Sequence, residues 1–319
     1  TKNMIVGGMF LLFLCSTLYA FSSGMFLLAT SRTLQGVAAA CTWAAALPLA
    51  VQSTSETKRG LELSSVSLAI GLGTIMGPIL GGLGSVRTPL YLCAALALLL
   101  TIFCIIFLPN DQEKAISQEG KFARLLRHDN LQVACLAVAL VYLGFAMLEA
   151  LFPLHMAGLK YSRPKIGLLF GVQGIAFTLA QPLVGAWSDR KGRVLPMVLG
   201  LLATALILPL PFFFHSLQIW GLLFALLGVA VASAFAPSIP LIADGVDPSD
   251  RGSAYALYNW LISIGFILGP GLGGKMAEIQ GIRVPFYLAA LVLAGGALIV
   301  LWMGRRISLP YPMAPEKFP

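Results

Sequence analysis

Gly73-Thr-Ile-Met-Gly77-Pro78-Ile-Leu-Gly81-Gly82 recurs as Gly265-Phe-Ile-Leu-Gly269-Pro270-Gly-Leu-Gly273-Gly274, a shift of 192 residues (73 to 265). The same shift pairs Arg59-Gly60 with Arg251-Gly252, Pro48-Leu49 with Pro240-Leu241, and Gly36-Val37-Ala38 with Gly228-Val229-Ala230. Further on, Pro89-Leu-Tyr91-Leu resembles Pro285-Phe-Tyr287-Leu at a shift of 196 (89 to 285), which implies a short insertion between them. One glycine motif arises by chance, but a run of matches in one register marks a duplicated unit. That register leaves 131–192 without a counterpart in the first half. The pattern expected is therefore one of twelve helices with the first two missing.

The composition says where those helices lie. Of 319 residues, 58% are hydrophobic and 11% charged, with a mean hydropathy of +0.87. Soluble domains run at roughly 45–50% apolar and about 25% charged, so the excess apolar surface must face lipid. The net charge of +8 sits in short polar breaks and forms no stripe with interleaved aromatics, which argues against nucleic-acid binding. Cys15, Cys41, Cys93, Cys104 and Cys135 all fall in apolar runs. They have neither metal-ligand spacing nor a loop pair, so no metal, cofactor or disulfide framework is expected.

A spanning helix needs about 20 apolar residues. Runs of that kind cover 4–21, 26–51, 63–84, 89–108, 131–157, 165–187, 194–214, 218–243, 252–274 and 284–304. This predicts an all-α membrane bundle: an N-terminal half over 1–108, a cytoplasmic connector over 109–130, a C-terminal half over 131–306, and a tail over 307–319. An even helix count puts both termini on one side. Lys58, Arg59, Arg190, Lys191, Arg193, Arg251, Arg305 and Arg306 then fall on that side. Counted over all loops, the basic residues favour it roughly two to one, so the termini are expected inside the cell. The Lys160–Lys165 loop argues the other way.

Three local motifs resemble signatures of the major facilitator superfamily. Gly185-x-x-x-Asp189-Arg190-x-Gly192-Arg193 is similar to that family's loop signature in its second-half position. Arg32-x-x-Gln35-Gly36 is similar to its fourth-helix motif. Gly73-x-x-x-Gly77-Pro78-x-x-Gly81-Gly82 resembles the fifth-helix motif of antiporters, especially drug:proton exporters. The resemblance implies two helical halves working by alternating access. It further implies a proton-coupled exporter of small amphipathic compounds, without cofactor. A monomer is expected, as a multi-pass protein of a prokaryotic plasma (inner) membrane. The alternatives are a nutrient or sugar importer of the same superfamily and a truncated, non-transporting membrane remnant. A membrane enzyme is disfavoured, because no GxSxG, HExxH or His/Asp cluster occurs.

Each motif carries two readings. Gly73, Gly77 and Gly81 repeat every four residues and so share a helix face that admits a close neighbour. Pro78 and Pro270 lack an amide hydrogen and should bend their helices. Together with Gly82, Gly265, Gly269, Gly273 and Gly274 they read as a hinge, or else as plain close packing. Gly269-Pro-Gly271-Leu-Gly273-Gly274 also spells GxGxxG, but within an apolar helix with no strand before it, so it is not a nucleotide site. Arg32, a charge inside a helix, must face protein or water; it modulates a proton site or snorkels to the interface. Glu149 lies among Ala146, Met147, Leu148, Ala150, Leu151 and Phe152, which makes it the leading candidate to carry a proton. Its alternative is a cavity carboxylate paired with His155. Gln35, Trp43, Tyr142, Gln173, Gln181, Tyr255, Tyr258, Asn259 and Trp260 are candidates to line a cavity, or to bond helix to helix. Gly185, Asp189, Arg190, Gly192 and Arg193 are expected in a short loop that acts as an inside gate.

Overall fold

A computed structural model describes residues 2–52, 59–85, 87–108, 125, 128–247 and 250–307. Among them the chain is helical: α1 (Lys2–Phe21), α2 (Met25–Gln52), α3 (Arg59–Gly81), α4 (Thr88–Phe107), α5 (Asp129–Gly158), α6 (Arg163–Lys191), α7 (Val194–Ile207), α8 (Leu217–Phe235), α9 (Ser238–Gly245), α10 (Arg251–Gln280) and α11 (Val284–Gly304). In a bilayer no water satisfies backbone amides, so an apolar chain closes its hydrogen bonds within helices. Eight spans, counting α7 with the turn after it and α8 with α9, are long and apolar enough to cross a membrane among the described residues. The expected all-α bundle is what the chain forms.

Prolines and glycines punctuate it. Two runs expected as single helices are interrupted. Span 194–214 breaks after Ile207, and a 3-10 turn over Leu210–Phe213 follows Pro209. Span 218–243 breaks at Ala236-Pro237, where α9 starts anew. In both, a missing proline N–H removes one i→i−4 bond. Pro78 and Pro270, by contrast, lie inside α3 and α10, and those helices run on through them. Pro89, Pro164 and Pro285 sit in the first turns of α4, α6 and α11, where the lost donor is one that no helix would use. Gly192, at φ 89°, ends α6.

The chain divides into two compact units, Thr1–Ser117 and Gln118–Pro319. Most of the expected connector (109–124, 126 and 127) and the tail beyond Ile307 lie outside the described residues. In the first unit α1 packs against α2 and α4, while α3 touches α2 and α4 lightly. In the second, α5 packs on α10, α11 and α9, α6 on α8, and α7 on α8 and α11. Phe152, Trp220, Phe224 and Phe286 are fully buried there. Phe152 stands edge-on to Trp220 at 5.5 Å between ring centroids.

The sequence register is also a register of contacts. A Cβ on Gly8 of α1 would lie 3.0 Å from the Ala38 carbonyl oxygen and 3.2 Å from the Thr42 amide nitrogen on α2. Gly200 of α7 would meet the Ala230 carbonyl and the Ala234 amide on α8, each at 2.7 Å. All three positions match at a shift of 192. Lys2 and Leu108 join α1 to the end of α4 by a Lys2 Nζ–Leu108 O hydrogen bond of 2.6 Å. Their counterparts, Val194 and Gly304, touch at the corresponding place between α7 and α11.

Candidate functional site

The two glycine-proline faces differ sharply. On α10 a Cβ at Gly265 would lie 2.5 Å from the Ala139 carbonyl of α5. One at Gly269 would collide with the Leu143 carbonyl, and one at Gly273 would sit 2.9 Å from Met147 Cγ. This is backbone-to-backbone approach along three turns, possible because glycine has no side chain. On α3 the equivalent Gly73, Gly77 and Gly81 have no heavy atom within 4 Å of a built Cβ among the described residues. Close packing therefore holds in the second copy, and the first copy presents an open face.

Beside the closed stripe lies an aromatic group that spacing had not disclosed. Tyr142 stacks on Phe266 of α10 at 5.0 Å and stands edge-on, at 6.0 Å, to both Phe145 and Phe235. Phe177 of α6 joins Phe235 of α8 at 5.8 Å. These rings are partly exposed, Phe266 more than a third. Glu149 lies two turns beyond Tyr142 on α5, so the two share one helix face. Ala146, Met147, Leu148, Leu151 and Phe152 are buried, whereas Glu149 itself is exposed. Its apolar neighbours in sequence thus point inward, and the carboxylate points out of the unit's core. His155 packs on Phe212 and Phe152, with centroids 4.9 and 5.8 Å away. Phe145, Phe177, Phe235 and Phe266 were missed by sequence reasoning. The i+3 and i+7 spacing of Phe145 and Glu149 from Tyr142 was the available signal.

The other cavity candidates scatter. Gln173 is buried, and its backbone carbonyl abuts Gly228. Tyr258 is 2% exposed and shares a hydrogen bond of 2.5 Å with Ser238, which ties α10 to the start of α9. Asn259 is exposed and donates to the Tyr255 carbonyl at 3.0 Å. Tyr255 and Gln181 are half-buried, and Trp43 and Trp260 are more than half exposed. None of these was brought into the aromatic group; Tyr142 was.

In the first unit Arg32 Nη1 donates to Gln35 Oε1 at 2.8 Å, and Gln35 Nε2 donates to Ser16 Oγ at 3.1 Å. Ser16 in turn donates to Cys93 Sγ at 3.6 Å. A polar chain thus runs from the exposed arginine of α2 through the buried hydroxyl of α1 to α4. Ser16 and Cys93 complete this chain and were not foreseen.

The expected gate loop is mostly helix. Gly185 to Lys191 complete α6, and Gly192 alone makes the turn into Arg193. The correction has a physical cause: nothing before Gly192 forbids helix, and its positive φ suits glycine as a helix terminator. Arg193 bonds Asp189 one turn back, donates to Ser188 Oγ at 2.9 Å, and reaches Asp244 Oδ2 of α9 at 3.3 Å. Arg251 donates to the Ala243 carbonyl at 2.8 Å and the Val246 carbonyl at 3.3 Å. Two arginines therefore hold the end of α9 between the α6–α7 turn and the start of α10. Arg190 is exposed, and the Arg59 side chain lies outside the described residues. Asp244 was missed because its partner is 51 residues away and no local spacing links them.

A model of the Major Facilitator Superfamily matches the chain twice, over residues 1–135 and 134–317. The synaptic vesicular amine transporter of Mus musculus is 27% identical over 287 residues, covering 86% of this chain and 55% of that protein. The chromaffin granule amine transporter of Homo sapiens is 28% identical over an alignment of 326 residues, covering 97% and 60%. Multidrug resistance protein 1 of Bacillus subtilis (strain 168) is 32% identical over 154 residues, covering 47% and 39%. The chain spans little more than half the length of the amine transporters it matches. With the paired match laid over two units that share a contact register, the chain belongs to the major facilitator superfamily.

Proposed function

We propose that this chain acts in secondary active transport, as a proton-coupled exporter of small amphipathic compounds that works by alternating access. The observation that carries the reading is the partly exposed aromatic wall of Tyr142, Phe145, Phe235 and Phe266 with Glu149 two turns away on α5. Ring faces accept apolar and cationic groups. A carboxylate inside a membrane span is costly, and is retained where it binds a proton or a charge. In an antiporter one carboxylate serves both partners in turn, so that proton and substrate exclude each other. The printed names of the relatives, amine transporters and a multidrug resistance protein, support the same class of reading.

The remaining pieces take roles in that cycle. Residues 109–130 join the two halves on the cytoplasmic side. Both termini lie in the cytoplasm of a prokaryotic cell. The Asp189–Arg193–Asp244 cluster latches the α6–α7 turn to the end of α9 in one orientation of the halves and lets go in the other. Arg32 tunes its half through Gln35 and Ser16. The closed stripe of Gly265, Gly269 and Gly273 carries α10 and α5 as one rigid pair, so Phe266 and Tyr142 move together. The protein acts as a monomer.

The experiment is proton counter-flow. In everted vesicles holding an acid interior, tetraphenylphosphonium added as the probe should raise the luminal pH in a protein-dependent way. A probe that enters with the proton, or moves without altering the pH gradient, overturns antiport.

A further inference from the structure

A crevice of about 300 Å³ opens in the second unit between α5, α10 and α11. Leu131, Cys135, Leu136 and Ala139 of α5 line it, with Leu261 of α10 and Met303 of α11. Gln132, at its outer end, is the one amide in the lining. From Leu131 to Ala139 the crevice follows eight residues of helix, about 12 Å at 1.5 Å per residue. That is close to one leaflet of a hydrocarbon core about 30 Å thick.

The charges stand at its mouth. Met303 is followed at the end of α11 by Arg305 and Arg306, both exposed. Arg306 lies over the Trp302 ring at 3.9 Å, and Trp302 is itself 56% exposed. An aromatic ring next to paired arginines at a helix end is the arrangement found at a membrane interface. His128 and the exposed Asp129 begin α5 at the same end. Lipid tails are as apolar as leucine, so filling the crevice with a chain distinguishes one lipid from another only weakly. Selection must come from the head group, at the end where Arg305 and Arg306 close α11 and His128 and Asp129 open α5.

We propose that this crevice is a binding site for an anionic phospholipid, one acyl chain lying along α5 between Leu131 and Ala139 and the phosphate held by Arg305 and Arg306. Near a membrane surface each arginine is worth about a five-fold preference for an anionic lipid. The site therefore favours such a lipid over a zwitterionic one by more than ten-fold.

Native mass spectrometry of the detergent-purified protein, with dioleoyl phosphatidylglycerol and dioleoyl phosphatidylcholine as equimolar probes, reads this directly. The wild type should retain phosphatidylglycerol at least ten-fold more. Arg305→Gln with Arg306→Gln should bring the ratio near one. Leu136→Trp, which fills the crevice, should release both lipids, while Leu298→Trp on the exposed side of α11 leaves both bound. Equal retention of the two lipids by the wild type overturns the proposal, as does Leu136→Trp without effect. A second readout does not depend on that variant folding. With Cys15, Cys41, Cys93 and Cys104 replaced by serine, an apolar maleimide should label Cys135 at least five-fold more slowly when phosphatidylglycerol is present. Unchanged labelling would overturn it too. Deleting 308–319 should leave lipid retention as it was; a rise would assign the crevice to the chain's own tail.

Discussion

The first and second copies of the repeat keep one backbone plan and fill it with different chemistry. Where the first has Ser16, Arg32, Gln35 and Cys93 in a hydrogen-bonded chain, the register places Leu208, Phe224, Leu227 and Ala289 in the second, all buried at 3% exposure or less. Where the second copy has glycine pressed on the backbone of α5, the first has glycine with open space. The shared contacts, Gly8 on Ala38 and Gly200 on Ala230, are therefore what the fold requires. The polar chain of Ser16, Arg32, Gln35 and Cys93 is where the first unit departs from the second. A polar chain can replace an apolar layer only if each member finds a partner, because a buried hydroxyl or amide left alone costs more than the layer it replaces.

This contrast can be broken at its strongest point first. Gly269→Val should destabilise the second unit by about 3 kcal/mol or more, since the new methyls meet the Leu143 backbone, which cannot step aside. Gly77→Val, on the open face, should change stability by less than about 1 kcal/mol. Melting curves in detergent compare the two, and equal losses would mean that the faces do not differ. Next comes exchange between the layers. Leu208→Ser places a hydroxyl in an apolar layer and should cost about 3 kcal/mol, as a core truncation does. Ser16→Ala removes the middle of the polar chain and should cost about 1 kcal/mol. Arg193→Ala comes last. Arg193 is only half-buried, and its partners Asp189 and Asp244 are 60% and 33% exposed, so solvent screens the pairs and the change should lower stability by about 1 kcal/mol. It should nonetheless slow probe transport, because the latch would no longer hold; an unchanged rate would reduce the cluster to packing.

Much of the fold was legible, for the reason that a bilayer makes long apolar runs and duplicated glycine motifs unambiguous. What was harder to read depended on helix faces. Glu149 sits among apolar letters, yet it is exposed while Met147, Leu148 and Leu151 are buried on the part of α5 turned away from it. Tyr142 was singled out as a cavity candidate, and the two other helices that supply it with ring partners, α8 and α10, are distant in sequence. Gly185–Arg193 reads as a loop from its glycines and charges, but six residues of helix follow Gly185 before Gly192 stops it. Asp244 is one acidic letter among several until the α6–α7 turn brings Arg193 to it. In each case the missing knowledge was which helix lies across from which.

Central to the account is that Glu149, next to the aromatic wall, exchanges a proton for an amphipathic cation. Its most direct test compares wild type and Glu149→Gln in everted vesicles with an imposed acid interior, measuring accumulation of radiolabelled tetraphenylphosphonium. The wild type should concentrate the probe and lose it when the pH gradient is collapsed, whereas Glu149→Gln, at unchanged protein level, should accumulate no more than vesicles lacking the protein. Gradient-driven accumulation that survives the substitution would contradict the account.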